Sequence, residues 1–497
     1  MAESPRGGEE LTLLIDSNVF IAAEDHTAPG HPFGRQAAEL LRLSQKLHYR
    51  LALSHGTVSD LLGAPPPTRS QRLKALEKYV VLKHVKTDQQ IRGVFPDILT
   101  DNNLADLEVL STFKRSGADW LVTNDRKMRS RAARSDLPQT LSIDAAIELL
   151  RPLASPELQA PAAELTEAHT IDLSADIFNS LRADYDDFSE WWLRKVCREW
   201  RDVIILGSPT SPEGVAVLKI EKDRPHGLDS PVLKICTFKV ADDFRGVKRG
   251  ELLLKALVSY ARRQRLNGMY LEVLPDKIDL IDWLANFGFS VVDTASTARN
   301  EMVLLKRLSP SPSELLLPEL EYAKRFGPGE IRPTRAHFIP IRDSWHHRLF
   351  PEADEQGDLF QGGEACGNAI RKAYLCHSPS RKVMPGDALV FIRTGRGPAA
   401  ATVIGVAESV SACTSWKEII GQVGTRTVYT ATEIYDMTRP NRAVLVLLFR
   451  LDRILSPVWK IDDLLRVGVI KGRTPQSISK ISPKGIEWIQ SKLGASH

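Results

Sequence analysis

The stretch LLIDSNVF, residues 13–20, decides how the N-terminal third of this chain is interpreted. Its apolar start is typical of a buried strand, and Asp16 stands where that strand would end. Helical patterns near 34–47, 68–79 and 103–116 separate it from further strand-like runs, which are YRLALS (49–54), VVLKHV (80–85) and DWLVTND (119–125). Alternation of this kind predicts an α/β fold with a parallel sheet covered by helices on both faces.

Four aspartates recur at informative places in this pattern: Asp16, Asp60, Asp106 and Asp125. Asp16 and Asp125 follow strands, and the carboxyl ends of parallel strands line the crevice where ligands bind. Asp60 and Asp106 are predicted on helices that return to the same edge. Converging carboxylates repel one another and stay ionised together only beside a cation. Any one aspartate alone is better explained as a helix cap or a surface charge, but the ordered set predicts a site for Mg²⁺ or Mn²⁺.

The same set resembles the PIN-domain nucleases over about residues 10–150, through LLIDSNVF, the acid in TVSDLL, an aspartate on the next helix, and LVTND. The resemblance implies a metal-dependent endoribonuclease with Asp16, Asp60, Asp106 and Asp125 as both catalytic residues and metal ligands. Ser17, Thr123 and Asn124 occupy positions that assist the metal cluster in that family, and Glu108 is a candidate accessory acid. Asp60 departs from the family, which commonly has Glu there. The basic run DRKMRSRAAR (125–134) suits RNA phosphates or a solvated helix face.

The middle of the chain contains a basic turn between a strand and a helix, in KVADDFRGVKRGELLLKAL (239–257). A helix N-terminus of this kind favours an anion, and a pyrophosphate is the obvious guest. The surrounding pattern resembles the GNAT acetyltransferases over roughly 170–308. That resemblance implies a GNAT-like α+β domain that binds acetyl-CoA through Val240, Arg245, Gly246, Lys248, Arg249 and Gly250.

Two departures from the GNAT pattern leave alternatives open. Lys248 stands where the family usually has a second loop glycine, and Leu284 stands where many members have the Tyr that protonates the leaving thiolate. Tyr260 and Tyr270 are alternative acids, and Glu221 or Glu272 is a candidate base. A domain that serves only as a scaffold or an acyl-CoA sensor is the other interpretation.

The last segment, 330–497, alternates strands and turns, as in KVMPGDALVF (382–391) followed by VIGVAESV (403–410). This resembles the PUA-like superfamily, most nearly its ASCH and EVE branches, and implies a small β-barrel with helices that binds RNA. The segment carries 23 basic and 16 acidic residues, which agrees with a polyanionic partner. The candidate contacts are Arg393, Arg396, Lys471 and Arg473 for phosphates, and Trp345, Tyr374 and Trp416 for bases.

Together these features predict three domains in the 497 residues, at 10–150, 170–308 and 330–497. The first hypothesis is a cytoplasmic ribonuclease with an attached acetyl-CoA-binding domain and an RNA-recognition domain. The second is an N-acetyltransferase acting on an RNA, a nucleotide or a protein amine, with the other domains as targeting modules. The third is a non-catalytic RNA-binding protein. No membrane contact is predicted, and the family resemblance is compatible with a homo-oligomer.

Overall fold

The computed structural model describes residues 11–24, 31, 33–47, 49–96, 100–137, 139–154, 161–223, 225–229, 231–244, 246–296, 300–353, 365–395, 398–439, 442–472 and 474–494. Within these ranges no helix combines the length and the apolar character that crossing a bilayer requires.

The first segment forms a five-stranded parallel sheet of order β3-β2-β1-β4-β5, which confirms the predicted parallel sheet. Its strands are β1 (Thr12–Ile15), β2 (Arg50–Leu53), β3 (Val80–Val81), β4 (Trp120–Val122) and β5 (Thr140–Leu141). Its helices are α1 (Ser17–Glu24), α2 (Gly34–Lys46), α3 (His55–Leu62), α4 (Pro66–Leu76), α5 (Gln89–Arg92), α6 (Asp101–Ser116), α7 (Arg126–Arg134) and α8 (Ile143–Ala154).

Local sequence signals fix the two helices that matter for the sites described below. Ser54 caps α3 by accepting a hydrogen bond from the Thr57 amide at 3.0 Å, and Thr100 caps α6 by accepting one from the Asn103 amide. Gly117 ends α6 at a φ of 70°, a conformation that favours glycine. The caps therefore set where each helix begins relative to the strand edge.

The middle segment forms a seven-stranded sheet of order β11-β12-β10-β9-β8-β7-β6. Its strands are β6 (Ala163–Thr166), β7 (Val203–Ser208), β8 (Ser211–Glu221), β9 (Val232–Val240), β10 (Gly268–Val273), β11 (Ser290–Ser296) and β12 (Met302–Arg307). Its helices are α9 (Asn179–Asp184), α10 (Phe188–Trp191), which continues into a π-helical turn, α11 (Arg249–Arg263) and α12 (Ile278–Ala285). The β9–β10 pair is parallel, and every other neighbouring pair is antiparallel.

The last segment forms a six-stranded sheet of order β14-β17-β16-β15-β13-β18. Its strands are β13 (Ala336–Arg342), β14 (Arg371–Cys376), β15 (Ala388–Thr394), β16 (Ala400–Cys413), β17 (Val444–Lys460) and β18 (Ser479–Lys480). Its helices are α13 (Glu319–Phe326), α14 (Asp343–Leu349), α15 (Ala365–Asn368), α16 (Trp416–Val423), α17 (Ala431–Met437), α18 (Ile461–Arg466) and α19 (Pro483–Gly494).

The chain divides into two compact units, and the division does not follow chain order. The first unit contains residues 1–157 together with 414–425 and 429–440, so that α16 and α17 belong with the parallel sheet. The second unit contains 158–413, 426–428 and 441–497, and therefore holds both other sheets. The chain is thus a mixed α/β protein with several sheets.

Candidate functional site

The middle sheet opens between its two parallel strands. β9 and β10 pair only from Met269 to Leu271, whose partners are Leu233 and Ile235. Beyond this point β9 continues for five residues toward Val240 and pairs only with β8. The two strands therefore diverge, and the gap opens toward the loop that precedes α11.

That loop holds the predicted coenzyme-binding residues. Gly246 has a φ of 85°, and Lys248 adopts a left-handed conformation with a φ of 63°. Gly250 lies against other parts of the site, because an added Cβ would stand 3.4 Å from the Trp283 ring and 3.9 Å from Val240. Arg245 lies outside the described residues. The loop thus brings glycines to the start of a fifteen-residue helix.

The basic side chains of this loop were expected to help bind an anion. The two that the structure describes are instead buried and paired with carboxylates. Lys248 is buried and its Nζ lies 3.3 Å from the Glu251 carboxylate. Arg249 is buried as well, and its Nε donates to Glu213 at 2.5 Å. Because the charges of Lys248 and Arg249 are each paired with a carboxylate of this chain, the described features of this loop that favour an anion are its backbone N–H groups and the helix dipole.

A polar cluster lies on the sheet face opposite α11. Leu233, Ile235 and Met269 pack toward α11, so strand alternation places Lys234, Tyr270 and Glu272 on the other face. Lys234 Nζ donates to Glu272 at 2.7 Å. The cluster therefore stands beside the point where β9 and β10 diverge.

Glu221 and Tyr270 form the second pair of this cluster. Tyr270 donates its hydroxyl to Glu221 at 2.6 Å, and Lys219 donates to the other carboxylate oxygen at 2.9 Å. Burial alone would raise the pKa of Glu221, but these two hydrogen bonds lower it. Burial, followed by the Glu221 carboxylate, raises the pKa of Tyr270. At neutral pH the pair is thus an ionised carboxylate, whose lowered pKa makes it a weak base, and a phenol that retains its proton.

The other acids proposed from the sequence have different surroundings. Leu284 is buried in the core beneath α11. Tyr260 donates its hydroxyl to Asp202 at 2.5 Å, so its proton is engaged away from the polar cluster. Sequence analysis did not single out Lys219, Lys234 or Arg201, whose Nη1 lies 3.3 Å from the Cys236 sulfur. The sequence signal that could have identified these residues is the alternation of charged residues along neighbouring strands.

In the first unit, Asp16 is the most enclosed of the four predicted acids. Its carboxylate accepts hydrogen bonds from the Ser17 amide at 2.7 Å, from the Thr123 hydroxyl at 2.6 Å and from the Asn18 amide group. Burial raises the pKa of Asp16, and the charges of Asp125 and Asp60 raise it further. Sequence analysis missed Asn18, although its place two residues after the first acid was a usable signal.

The remaining acids interact with the same centre to different degrees. Burial and the negative charges of Asp16 and Asp125 raise the pKa of Asp106 to about 6. They do so although Arg131 lies 2.6 Å away from the Asp106 carboxylate. Asp125 caps α7 by accepting from the amides of Lys127 and Met128. Asp60 is exposed near the end of α3, and its charge reaches Asp16. The charges of the four carboxylates therefore influence one another, but among the described residues no three of them have ligand atoms close enough together for a metal site.

The accessory residues proposed for this centre divide into two groups. Thr123 contacts Asp16 directly, whereas the Asn124 side chain accepts from the Ile143 amide at 3.0 Å. Glu108 contacts His84, at 3.0 Å. In the basic run 125–134, Arg131 is committed to Asp106, so it is not placed as an open phosphate contact.

The residues proposed for RNA binding in the last segment differ in their exposure and in their contacts. Lys471 is exposed, Arg393 lies 3.8 Å from Asp343, and Arg396 and Arg473 lie outside the described residues. Tyr374 donates its hydroxyl to the Pro340 carbonyl. Trp345 stacks under Arg348, whereas Trp416 packs on Tyr435 between α16 and α17, in the first unit.

Comparison with known proteins identifies the middle sheet. The model of the acetyltransferase (GNAT) family matches residues 165–289, a range that begins and ends somewhat before the predicted 170–308. This stretch is a GNAT acetyltransferase domain, and the predicted GNAT-like segment is confirmed. No curated protein matches the chain significantly.

Solved structures similar to parts of this chain include the ASCH protein of Zymomonas mobilis. It is 9% identical, with a TM-score of 0.24, and the alignment covers 31% of this chain and 94% of that one. A GNAT-family acetyltransferase of Staphylococcus aureus is 14% identical, with a TM-score of 0.24 and coverage of 30% and 100%. Ard1 of Thermoplasma volcanium is 21% identical, with a TM-score of 0.22 and coverage of 30% and 99%.

Proposed function

We propose that this protein transfers an acetyl group from acetyl-CoA to an amine, using the domain at residues 165–289. The observation that carries the proposal is the GNAT family match over this range. The divergence of β9 and β10 beyond Leu271 supports it, because the gap offers a place for the extended arm of the coenzyme. Gly246 and the start of α11 would hold its pyrophosphate.

In this reaction the amine nitrogen attacks the thioester carbonyl, the carbon–sulfur bond breaks, and coenzyme A leaves as a thiolate. Glu221 is ionised at neutral pH and takes the proton that the attacking amine gives up, although its lowered pKa makes it a weaker base than an ordinary glutamate. Tyr270, whose hydroxyl donates to Glu221, would give its proton to the leaving thiolate and regain one from Glu221, so that the proton lost by the amine ends on coenzyme A. The buried Leu284 has no proton to offer. Acetyl acceptors of three classes remain to be compared: an RNA, a nucleotide and a protein amine.

Calorimetry of the full chain with acetyl-CoA tests the coenzyme site. A Gly246→Asp substitution should weaken binding at least tenfold, because it places a negative charge where the pyrophosphate would lie. Gly468→Asp is the matched control, since Gly468 also has a positive φ and faces open space in the last segment. Absence of binding by the unmodified protein, or equal loss in both variants, would contradict the proposal.

As a second function we propose metal-dependent cleavage of RNA by the first unit. The observation that favours it is the mutual electrostatic effect of Asp16, Asp106 and Asp125, two of which have raised pKa values. Oxygen donors whose charges repel suit Mg²⁺ or Mn²⁺. To hold an ion, Asp16, Asp106 and Asp125 would have to move closer together, with Asp60 nearby, because among the described residues they do not form a group at ligand spacing. A bound ion would activate water and stabilise the leaving oxygen of a phosphodiester. The metal ion would have to share the Asp106 carboxylate with Arg131.

An assay of RNA cleavage with Mn²⁺ tests this second function. Asp125→Asn removes a charge yet preserves the cap of α7, because an amide oxygen can also accept from the Lys127 and Met128 amides. We expect cleavage to be lost in this variant and in Asp16→Asn. Asp136→Asn, on an exposed turn of the same unit, is the control. Cleavage that persists in Asp16→Asn would assign the activity to another site.

A further inference from the structure

We propose that the first unit contains a second metal site, which binds Zn²⁺ through His55, His84 and Glu108. One ligand atom of each residue lies within 4.8 Å of one atom of each of the others. His84 Nδ1 is 3.0 Å from Glu108 Oε1, and the His55 and His84 rings stand 5.7 Å apart. The candidate metal ligands predicted from the sequence do not include this set.

The backbone fixes where these side chains start. β2 and β3 are adjacent and parallel, and their register pairs Leu53 with Val81. His55 and His84 follow these two strands by two and three residues, so both come to the carboxyl edge of the sheet. Parallel strands present their following residues at one edge, which makes the pairing of the two imidazoles a consequence of the fold.

Glu108 reaches this edge from α6. A Cβ added to Gly56 would stand 2.5 Å from Glu108 Oε2, so the glycine next to His55 leaves the space that the carboxylate occupies. The Glu108 side chain is only about one-fifth exposed, because it packs beside the two histidines. Two of the three ligands are thus positioned by close packing between α3 and α6.

This set is separate from the aspartate centre. Asp106 and Glu108 are two residues apart on α6, about 200° around the helix axis. Asp106 accordingly contacts Arg131, whereas Glu108 contacts His84. The two sites also differ in chemistry, because four carboxylates suit a hard cation whereas two imidazoles and one carboxylate suit zinc.

The distances are compatible with zinc after small rotations. Ligand atoms on one zinc ion lie about 2.0–2.2 Å from the metal, which places them roughly 3.2–3.6 Å from each other. His84 is 66% exposed, and His55 is exposed as well, so both rings can rotate to close this gap. Three protein ligands leave a fourth position for water or for a substrate oxygen.

Zinc binding to the full chain tests the site, with zinc ions alone as the probe and a chromophoric chelator as the competitor. We expect the double variant His55→Ala/His84→Ala and the single variant Glu108→Gln each to weaken binding at least tenfold. His169→Ala is the matched control, because His169 is also exposed and lies 3.4 Å from a glutamate, Glu167, and among the described residues this pair belongs to no group of three possible ligands. Asp136→Asn, on an exposed turn of the same unit, should leave the zinc affinity unchanged.

Cobalt spectra separate this site from adventitious binding to the free cysteines. A nitrogen and oxygen site gives visible d–d bands without the near-ultraviolet thiolate band. Circular dichroism confirms that the variants fold, as expected for substitutions of exposed residues. Unchanged affinity in the double variant, or a thiolate band in the cobalt spectrum, would overturn the proposal.

Discussion

Glu221 shows how a single side chain in this protein is tuned by its neighbours. Lys219 and Tyr270 both donate to it, and together they offset the effect of burial on its pKa. A few ångströms along the same sheet face, Lys234 and Glu272 form a pair of their own. The proposed reaction needs an ionised carboxylate next to a retained phenolic proton, and this arrangement supplies both.

Glu221→Gln should lower kcat for acetyl transfer by roughly 10²–10⁴-fold, because the amide cannot accept the proton of the attacking amine. The affinity for acetyl-CoA should stay within about twofold, since Glu221 is not among the loop residues. Steady-state kinetics and calorimetry measure the two quantities. Glu164→Gln, exposed on β6, serves as the control; an equal loss of kcat there would remove Glu221 from the proposed chemistry.

Single residues also mark the limit of what the sequence could predict. That Asp16 and Asp125 stand at neighbouring strand ends followed from the apolar runs before them. The pairing of Arg249 with Glu213 could not be predicted, because the partner lies on a different element far away in the sequence and no local pattern connects them. The pairing of Arg131 with Asp106 was hidden for the same reason. Whether the four aspartates and the loop residues act as proposed stays a prediction.

At the scale of elements, the approach of α6 to α3 organises one edge of the parallel sheet. Gly56 permits that approach, and the caps at Ser54 and Thr100 set where the two helices start. Periodicity predicted α6 well, at 103–116 against the observed Asp101–Ser116. It did not predict the close approach, since the space above a glycine depends on the partner helix and not on either sequence alone.

Gly56→Ala should lower the free energy of unfolding by about 1–3 kcal/mol, because the new Cβ would force the Glu108 carboxylate away. Chemical denaturation followed by circular dichroism measures the change. Gly93→Ala is the matched control, since a Cβ there would meet its nearest neighbour at an ordinary 3.4 Å. If the two variants are equally stable, α3 and α6 pack less closely than described.

At the scale of the whole molecule, buried charges connect the GNAT domain with the last segment inside the second unit. Glu251 on α11 accepts hydrogen bonds from the Ile370 amide at 2.8 Å and from the Arg371 amide at 3.1 Å. Lys255, one turn further along α11, pairs with Glu352. The segments were predicted as separate domains, and composition could not reveal these contacts because the partners are more than ninety residues apart. The PUA-like assignment and RNA binding stay predictions.

Acid should weaken the second unit through Glu251. Burial would raise its pKa, but Lys248, Arg426 and the backbone donors lower it from 4.5 to about 2. A lowered pKa in the folded state contributes stability that is fully present above pH 4.5 and is lost as the pH falls toward 2. Denaturation midpoints of the unmodified protein should therefore fall more steeply over this window than those of Glu251→Gln. Glu487→Gln, at an exposed position of α19, should keep the original slope.

The first unit depends on α16 in a way that can be tested directly. Gly421 lies against Trp120, and a Cβ there would stand 2.9 Å from the indole nitrogen. Gly421→Ala should therefore accelerate amide exchange in β1 and β4, about fivefold or more for a cost of about 1–3 kcal/mol. Hydrogen-exchange mass spectrometry measures this, and Gly34→Ala, which meets only ordinary contacts, is the control. Unchanged protection would show that α16 adds little to this sheet.

Membership of residues 414–425 and 429–440 in the first unit has a consequence for how the protein is made. The ribosome completes the parallel sheet long before it reaches these helices, because residues 158–413 must be synthesised in between. At about 5–20 residues per second this interval lasts on the order of ten seconds to a minute. During translation the face of the nascent first unit around Trp120 therefore stays uncovered for this interval, and we expect a chaperone to bind it.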